Sequence, residues 1–162
     1  MIPLVDVKAQ YAPLIPELKQ RFAEALESGR FIFGPEVEAF EREAAAYLDV
    51  PHAIGVANGT DALVLALEAM GIGRHDEVIC PSFTFYATAE SIARVGATPV
   101  FADIDPATMN LDPEDAGARI TPKTKAIMPV HLFGRPAYVD YDLPVVEDAA
   151  QAFGAHGVGK KL

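Results

Sequence analysis

Three short segments concentrate the side chains able to do chemistry. In Ala57-Asn-Gly-Thr-Asp-Ala-Leu63, a glycine and a threonine sit where an apolar run gives way to a helical pattern. The first turn of a helix has N–H groups without intrahelical acceptors and carries partial positive charge. Gly59 and Thr60 could therefore present amides, and Thr60 also a hydroxyl, to an anion such as phosphate. Plain N-capping by Asn58 or Thr60 accounts for the same residues, and the Asp61 carboxylate must point away from an anion or cap the helix itself. In Pro81-Ser-Phe-Thr-Phe-Tyr-Ala-Thr88, Phe85 or Tyr86 could lie flat against a planar heteroaromatic ring, with ordinary core packing as the competing role. In Pro144-Val-Val-Glu-Asp-Ala-Ala-Gln151, an apolar run ends in acid. A carboxylate there is costly unless a cation pairs with it, so Asp148 could hold a protonated ring nitrogen. Gln151, three residues on, could donate its amide to an oxygen of the same ring. Asp148 could instead cap a helix, and Gln151 could sit at the surface.

The elements that must position these segments follow from periodicity. Helical spacing of apolar residues runs from Pro16 to Ser28, with Leu18, Phe22 and Leu26 on one stripe and Gly29 as its stop. A second such pattern begins near Pro35 and aligns Val37, Phe40, Ala44 and Tyr47. Between them, Phe31, Ile32 and Phe33 form an apolar link bounded by glycines that could pack on a second subunit or within the same core. From His52 onward, short apolar runs alternate with helical stretches, the pattern of a mostly parallel sheet covered by helices. The strands expected are Ala53–Ala57, Glu77–Pro81, Thr98–Ile104, Lys125–His131 and Pro144–Glu147; the helices are Thr60–Met70, Tyr86–Val95 and Pro113–Ile120, the last capped by Asp112. The fold class is α/β in three layers, with a helical segment over residues 1–50 and an α/β domain over 51–162. Only Leu132 to Leu143 separates the fourth strand from the fifth, and this stretch contains Gly134 and Pro136. A parallel crossover with its helix needs about 10–12 residues or more, so this one is unusually short or lacks residues.

Composition narrows the partners. Thirteen Lys+Arg against 23 Asp+Glu give a formal net charge of -10, which argues against a nucleic-acid surface or a membrane-adsorbed basic face. Cys80, the single cysteine, excludes an intramolecular disulfide and fits a small apolar residue in a strand. With no signal peptide or long apolar span visible, a reducing cytoplasm is the expected compartment. His52, His75, His131 and His156 show no metal-ligand spacing with Cys80, so no metal is expected. His131 closes a strand, where it could face a pocket or serve as a hydrogen-bonded structural residue. A nicotinamide-binding domain would require a Gly-x-Gly-x-x-Gly turn after the first strand, which the sequence lacks.

Taken in order, Gly-Arg-Phe-Ile-Phe-Gly-Pro-Glu-Val, Gly-Thr-Asp-Ala-Leu, Pro-Ser-Phe-Thr-Phe, His-Leu-Phe-Gly-Arg-Pro and Val-Glu-Asp-Ala-Ala-Gln resemble the sugar aminotransferases of the DegT family, within the fold-type I enzymes dependent on pyridoxal phosphate. The resemblance covers nearly the whole chain. It implies the large-domain fold of that class and transfer of an amino group from an amino acid, such as glutamate, to a nucleotide-linked keto sugar. It also implies that Gly59, Thr60 and Asp61 form the phosphate-contacting turn and that Phe85 stacks on the cofactor ring. Asp148 would pair with the pyridine nitrogen, and Gln151 would stand near the ring hydroxyl. A homodimer with sites at the subunit interface is implied as well, with Phe31 to Phe33 on that surface.

The sequence departs from the family in two respects. The Schiff-base lysine of the family lies in a later segment reading like Ser-Phe-His/Phe-Pro-Thr-Lys-Asn-Leu, which nothing here matches, and Lys160 and Lys161 fall on a different turn. The family's small C-terminal domain has no counterpart either. The expectation is accordingly the cofactor-binding part of a larger enzyme. The alternatives are a noncatalytic fragment or partner subunit that binds the cofactor or pairs with a full-length enzyme, and a pyridoxal-phosphate-dependent sugar dehydratase.

Overall fold

The computed structural model describes residues 4–157 and 161–162; Lys160 lies outside the described residues. The chain forms two compact units, one holding the residues up to Ala46 with Val50–Gly55, the other Tyr47–Asp49 with Val56–Leu162.

In the first unit, α1 (Val7–Tyr11) is capped by Asp6, whose carboxylate accepts the Ala9 N–H at 2.9 Å, and a 3₁₀ turn over Ala12–Leu14 leads into α2 (Ile15–Ser28). Gly29 ends α2 in the left-handed conformation (φ 64°), its N–H returning to the carbonyls of Ala25 and Leu26. Helix α3 (Pro35–Leu48) follows. Its Glu41 accepts the Gly55 N–H at 2.7 Å, which ties the stretch after the helix back onto it. No residue of α2 is buried: Leu18, Phe22 and Leu26 are all more than half exposed, as are Phe31, Ile32 and Phe33 in the link.

The second unit is built on a parallel sheet of order β2-β1-β3, with β1 at Glu77–Pro81, β2 at Thr98–Ala102 and β3 at Thr124–Ile127. β1 pairs with β2 from Glu77↔Thr98 to Pro81↔Ala102, and with β3 at Val78↔Ala126 and Ile79↔Ile127, after an irregularity beside Glu77. Successive side chains along each strand serve opposite faces. On one face Val78, Cys80, Ala126, Met128 and Val146 pack with Leu63 and Leu67 of α4 (Gly59–Ala69) and Ile92 of α5 (Ala87–Arg94). On the other, Ile79, Ala102 and Ile127 pack with Ala116 of α6 (Pro113–Ala118) and with Val139, Tyr141 and Leu143. The three layers expected from the sequence are present.

The boundaries of β2, β3 and the last strand are shorter than their apolar runs. The run Thr98–Ile104 pairs only to Ala102, because Ile104 turns to form an antiparallel bridge with Leu111. The run Lys125–His131 loses regular pairing after Ile127: Pro129 has no N–H for the ladder, although its carbonyl accepts the Asp148 N–H. The Pro144–Glu147 run is not a continuous strand but adds to the sheet edge through isolated parallel bridges, Ile127↔Val145 and Val130↔Asp148. Ala53–Ala57 is a correction. It belongs to no strand among the described residues, and Ile54 is 80% exposed, since β propensity makes a strand only where an edge is available to pair with.

The short connection between the two runs carries no α-helix. Residues 132–143 contain one 3₁₀ turn (Leu132–Gly134, with Phe133 at φ 56°), yet the strands on either side still run parallel. Side chains do the covering instead. Val139, Tyr141 and Leu143 lie on the sheet face, and the Tyr141 hydroxyl donates to the Pro113 carbonyl. Gly117 leaves room for it, since a Cβ at that position would press on the Tyr141 hydroxyl and ring.

Candidate active site

Helix α4 starts where the sequence places it because Asn58, in extended conformation, accepts the Asp61 N–H at 2.9 Å. Ala62 is then the first residue to donate within the helix, to the Asn58 carbonyl at 3.0 Å. The amides of Gly59 and Thr60, preceding it, have no acceptor in the helix ladder. Capping and anion presentation therefore coexist. Asn58 caps, while Gly59 and Thr60 line a cavity of about 400 Å³.

Phe85 and Asp148 line the same cavity, as does Gln151. Phe85 precedes α5 on the loop after β1 and is 71% exposed, leaving its ring largely open to a flat partner. Asp148 is half-buried at the sheet edge, where its backbone is fixed on both sides: its N–H donates to the Pro129 carbonyl and its carbonyl accepts the His131 N–H, both at 3.0 Å. One carboxylate oxygen accepts the Ala150 N–H at 3.1 Å. Gln151 is oriented from an unexpected direction, its Oε1 accepting the Phe133 N–H at 2.8 Å. With the carbonyl end so held, the amide NH₂ is the end free to donate.

Asp61 stands apart from the other sequence-derived candidates. It does not line the cavity; its carboxylate accepts from Asn58 Nδ2 at 2.9 Å and pairs with Arg94 Nη1 at 3.4 Å. Its N–H is already engaged by Asn58, so its contribution is to the cap.

The cavity wall also includes Thr84, Val130, Leu132 and Glu147, which sequence reasoning did not single out. Thr84 had a signal, since it immediately precedes Phe85; the others are brought in by the sheet edge. The described lining residues contain two carboxylates and neither lysine nor arginine, which favours a cationic group on the occupant. Lys161 is placed elsewhere, its Nζ 2.8 Å from the Tyr47 carbonyl and 4.0 Å above the Tyr47 ring, with Phe153 stacked on that ring.

His131 is a structural residue. It is fully buried, its Nδ1 accepts the Ala137 N–H at 2.9 Å, and its Nε2 lies 3.9 Å from Glu147. Burial pushes the Cys80 thiol up to about 12, which keeps it protonated and unreactive. Among the described residues no group of three or more His, Cys, Asp or Glu could hold a metal ion, and no helix is long and apolar enough to cross a membrane.

A family model described as the DegT/DnrJ/EryC1/StrS aminotransferase family matches residues 14–162. The chain belongs to this family. The chain is similar to a protein named pleiotropic regulatory protein from Geobacillus stearothermophilus, 49% identical, the match covering 98% of this chain and 45% of that protein. Another is the UDP-2-acetamido-2-deoxy-3-oxo-D-glucuronate aminotransferase of Pseudomonas aeruginosa, 46% identical over 99% of this chain and 47% of the enzyme. In three dimensions the chain is similar to DesV of S. venezuelae, crystallised in complex with a ketimine intermediate, with a TM-score of 0.93 and 44% identity over 99% of this chain and 46% of DesV. The chain spans a little under half the length of these proteins.

Proposed function

We propose that this chain is the cofactor-binding part of a pyridoxal-phosphate-dependent aminotransferase that moves an amino group from an amino acid, glutamate, to a nucleotide-linked keto sugar. The observation that carries the reading is the convergence of Thr60, Phe85, Asp148 and Gln151 on one cavity from three separated segments. Each brings a different complement to the same molecule. The residues fit that cofactor: amides and a hydroxyl for its phosphate, an open aromatic face for its ring, a carboxylate for its ring nitrogen and an oriented amide for its ring oxygen. A nucleotide-linked keto sugar as acceptor is supported by the name of the Pseudomonas relative.

When bound, the cofactor supplies an electron sink for amino transfer. The chain's own residues supply position and charge. Gly59 and Thr60 hold the phosphate at the positive end of α4. Phe85 covers one ring face and excludes water from it. Asp148, locked at the sheet edge, keeps the ring nitrogen protonated, and Gln151 steadies the ring oxygen. In this reading residues 1–50 and 51–162 are parts of one large domain, and the enzyme is a homodimer that uses the exposed Phe31–Phe33 link. A reducing cytoplasm suits the free Cys80 thiol.

The test is amino transfer from glutamate to a UDP-linked 3-keto sugar by the protein as its cell makes it. Asp148→Asn should lower turnover roughly a hundredfold or more, the scale for losing an essential electrostatic partner. Unchanged turnover rejects the assignment.

A further inference from the structure

The buried face of α5 carries two hydroxyls, Thr88 and Ser91, both fully inaccessible to solvent. Ser91 is accounted for, donating to the Thr88 carbonyl at 2.9 Å. A buried hydroxyl needs an acceptor for its proton, and among the described residues the Thr88 hydroxyl has one hydrogen-bond partner, Thr84 Oγ1 at 3.0 Å. Either hydroxyl can donate in that pair, and donation from Thr88 is the arrangement that gives the buried proton an acceptor. The consequence falls on Thr84, whose oxygen is occupied as acceptor and whose own proton must point elsewhere. Thr84 is one of the residues that line the cavity.

The sheet beneath α5 shows which part of the cavity it serves. Ser91 Oγ lies 4.0 Å from Met128 Sδ, a contact from α5, which lies over β2 and β1, to the residue that follows β3. Thr84 and Val130 line the same cavity, and the bridge partner of Val130 is Asp148, which lines it as well. Asp148 shares a face with Val146, which is buried against the α4–α5 side of the sheet. No hydrogen bond joins Thr84 to Asp148, and active-site hydrogen bonds commonly tighten only when the ligand is in place.

We propose that Thr84 and Thr88 are positioning residues for Asp148. Thr88 donates to Thr84, and Thr84 donates to the Asp148 carboxylate when a cationic ring nitrogen draws that carboxylate into line. The inference rests on the role given to Asp148 under the proposed function, and goes beyond it by assigning a hydroxyl relay to the ring-nitrogen end of the cavity.

Pyridoxamine phosphate is the suitable probe, because it has no aldehyde to react with surface lysines. Its affinity for the purified protein, as its cell makes it, is measured by calorimetry beside that of its 1-deaza analogue, in which carbon replaces the ring nitrogen, and of pyridoxamine, which lacks the phosphate. Thr84→Val should weaken pyridoxamine phosphate and pyridoxamine by the same factor, about fivefold for one net hydrogen bond, and leave the deaza analogue unchanged. Thr84→Ser should restore binding, and Thr88→Val should show a smaller loss with the same ligand pattern. If Thr84→Val weakens all three ligands alike, or none, the inference is wrong. If it weakens only the two phosphorylated ligands, the hydroxyl serves the phosphate and the inference is again wrong. Should the unsubstituted chain bind pyridoxamine phosphate and the deaza analogue equally well, the ring-nitrogen role of Asp148 fails first.

Discussion

Helices α2 and α5 are both amphipathic, yet they end in opposite environments. α5 buries Ala87, Thr88, Ser91 and Ile92, a stripe with little apolar bulk, while α2 leaves the larger Leu18, Phe22 and Leu26 more than half exposed. Helical periodicity shows that a stripe exists; a partner surface decides whether it is buried. α5 follows β1 directly, and the right-handed return of a parallel sheet lays it on the strands that bury it. Among the described residues, α2 has no strand in its own unit to receive it.

The sharpest way to break this contrast is to truncate one side chain from each region. Ile79→Ala, in a fully buried strand position, should cost about 2–5 kcal/mol in urea unfolding. Phe22→Ala should change stability by no more than about 0.5 kcal/mol, because its ring is 68% exposed. A large loss at Phe22 would show that the α2 stripe is covered in solution. Phe85→Ala tests exposed bulk that has a ligand rather than a core to meet. It should leave unfolding unaltered and weaken retention of pyridoxal phosphate by roughly 1–3 kcal/mol in equilibrium dialysis.

Helix caps offer a finer version of the same contrast. Asn58→Ala at the start of α4, which is packed on the sheet, should cost about 1 kcal/mol in thermal unfolding. Asp6→Ala at the start of α1, five residues with none buried, should cost only a few tenths, since a helix that short adds little to cooperative stability. The smallest effect concerns pH. The Arg119 guanidinium, hydrogen-bonded to Asp115, and then the Asp103 N–H hold the Asp115 carboxyl below its ordinary range. A depressed carboxyl stabilises the fold above the unfolded carboxylate pKa, about 3.9, and that contribution disappears as pH falls through the lower folded value. Carboxyl-detected NMR should find Asp115 titrating below that range, and Arg119→Ala should move it upward.

The sequence makes the core of the second unit legible because local and tertiary signals agree there. Glu77–Pro81 is an apolar run bounded by Asp76 and the Pro-Ser turn, and it forms a strand with those bounds. The Asp112 cap and the Gly29 stop are equally local and are found in place. Elements that depend on distant partners are less legible. Ala53–Ala57 has strand composition without an edge to join, and α1 is too short to leave a periodic trace. At the candidate site, residue types point toward the cavity chemistry but not toward orientation. Asp61 belongs to the most readable motif, yet its carboxylate is held by Asn58 and Arg94, 33 residues further on. Gln151 owes its orientation to the amide of Phe133, a residue in a left-handed conformation that no spacing rule anticipates.

The helix-free connection between His131 and Pro144 has a thermodynamic consequence. A crossover helix would carry its own repeating ladder of backbone bonds and could persist if its neighbours loosened. This stretch depends instead on separate anchors: Asn110 Nδ2 on the carbonyls of Arg135 and Pro136, the Ala137 amide on a sealed imidazole, and Tyr141 on α6. Its opening is therefore coupled to the turn around Asn110 and to the sheet margin that holds Asp148. The Ala137 amide is the natural reporter of that event, because its exchange with solvent records how often the margin separates from the rest of the sheet.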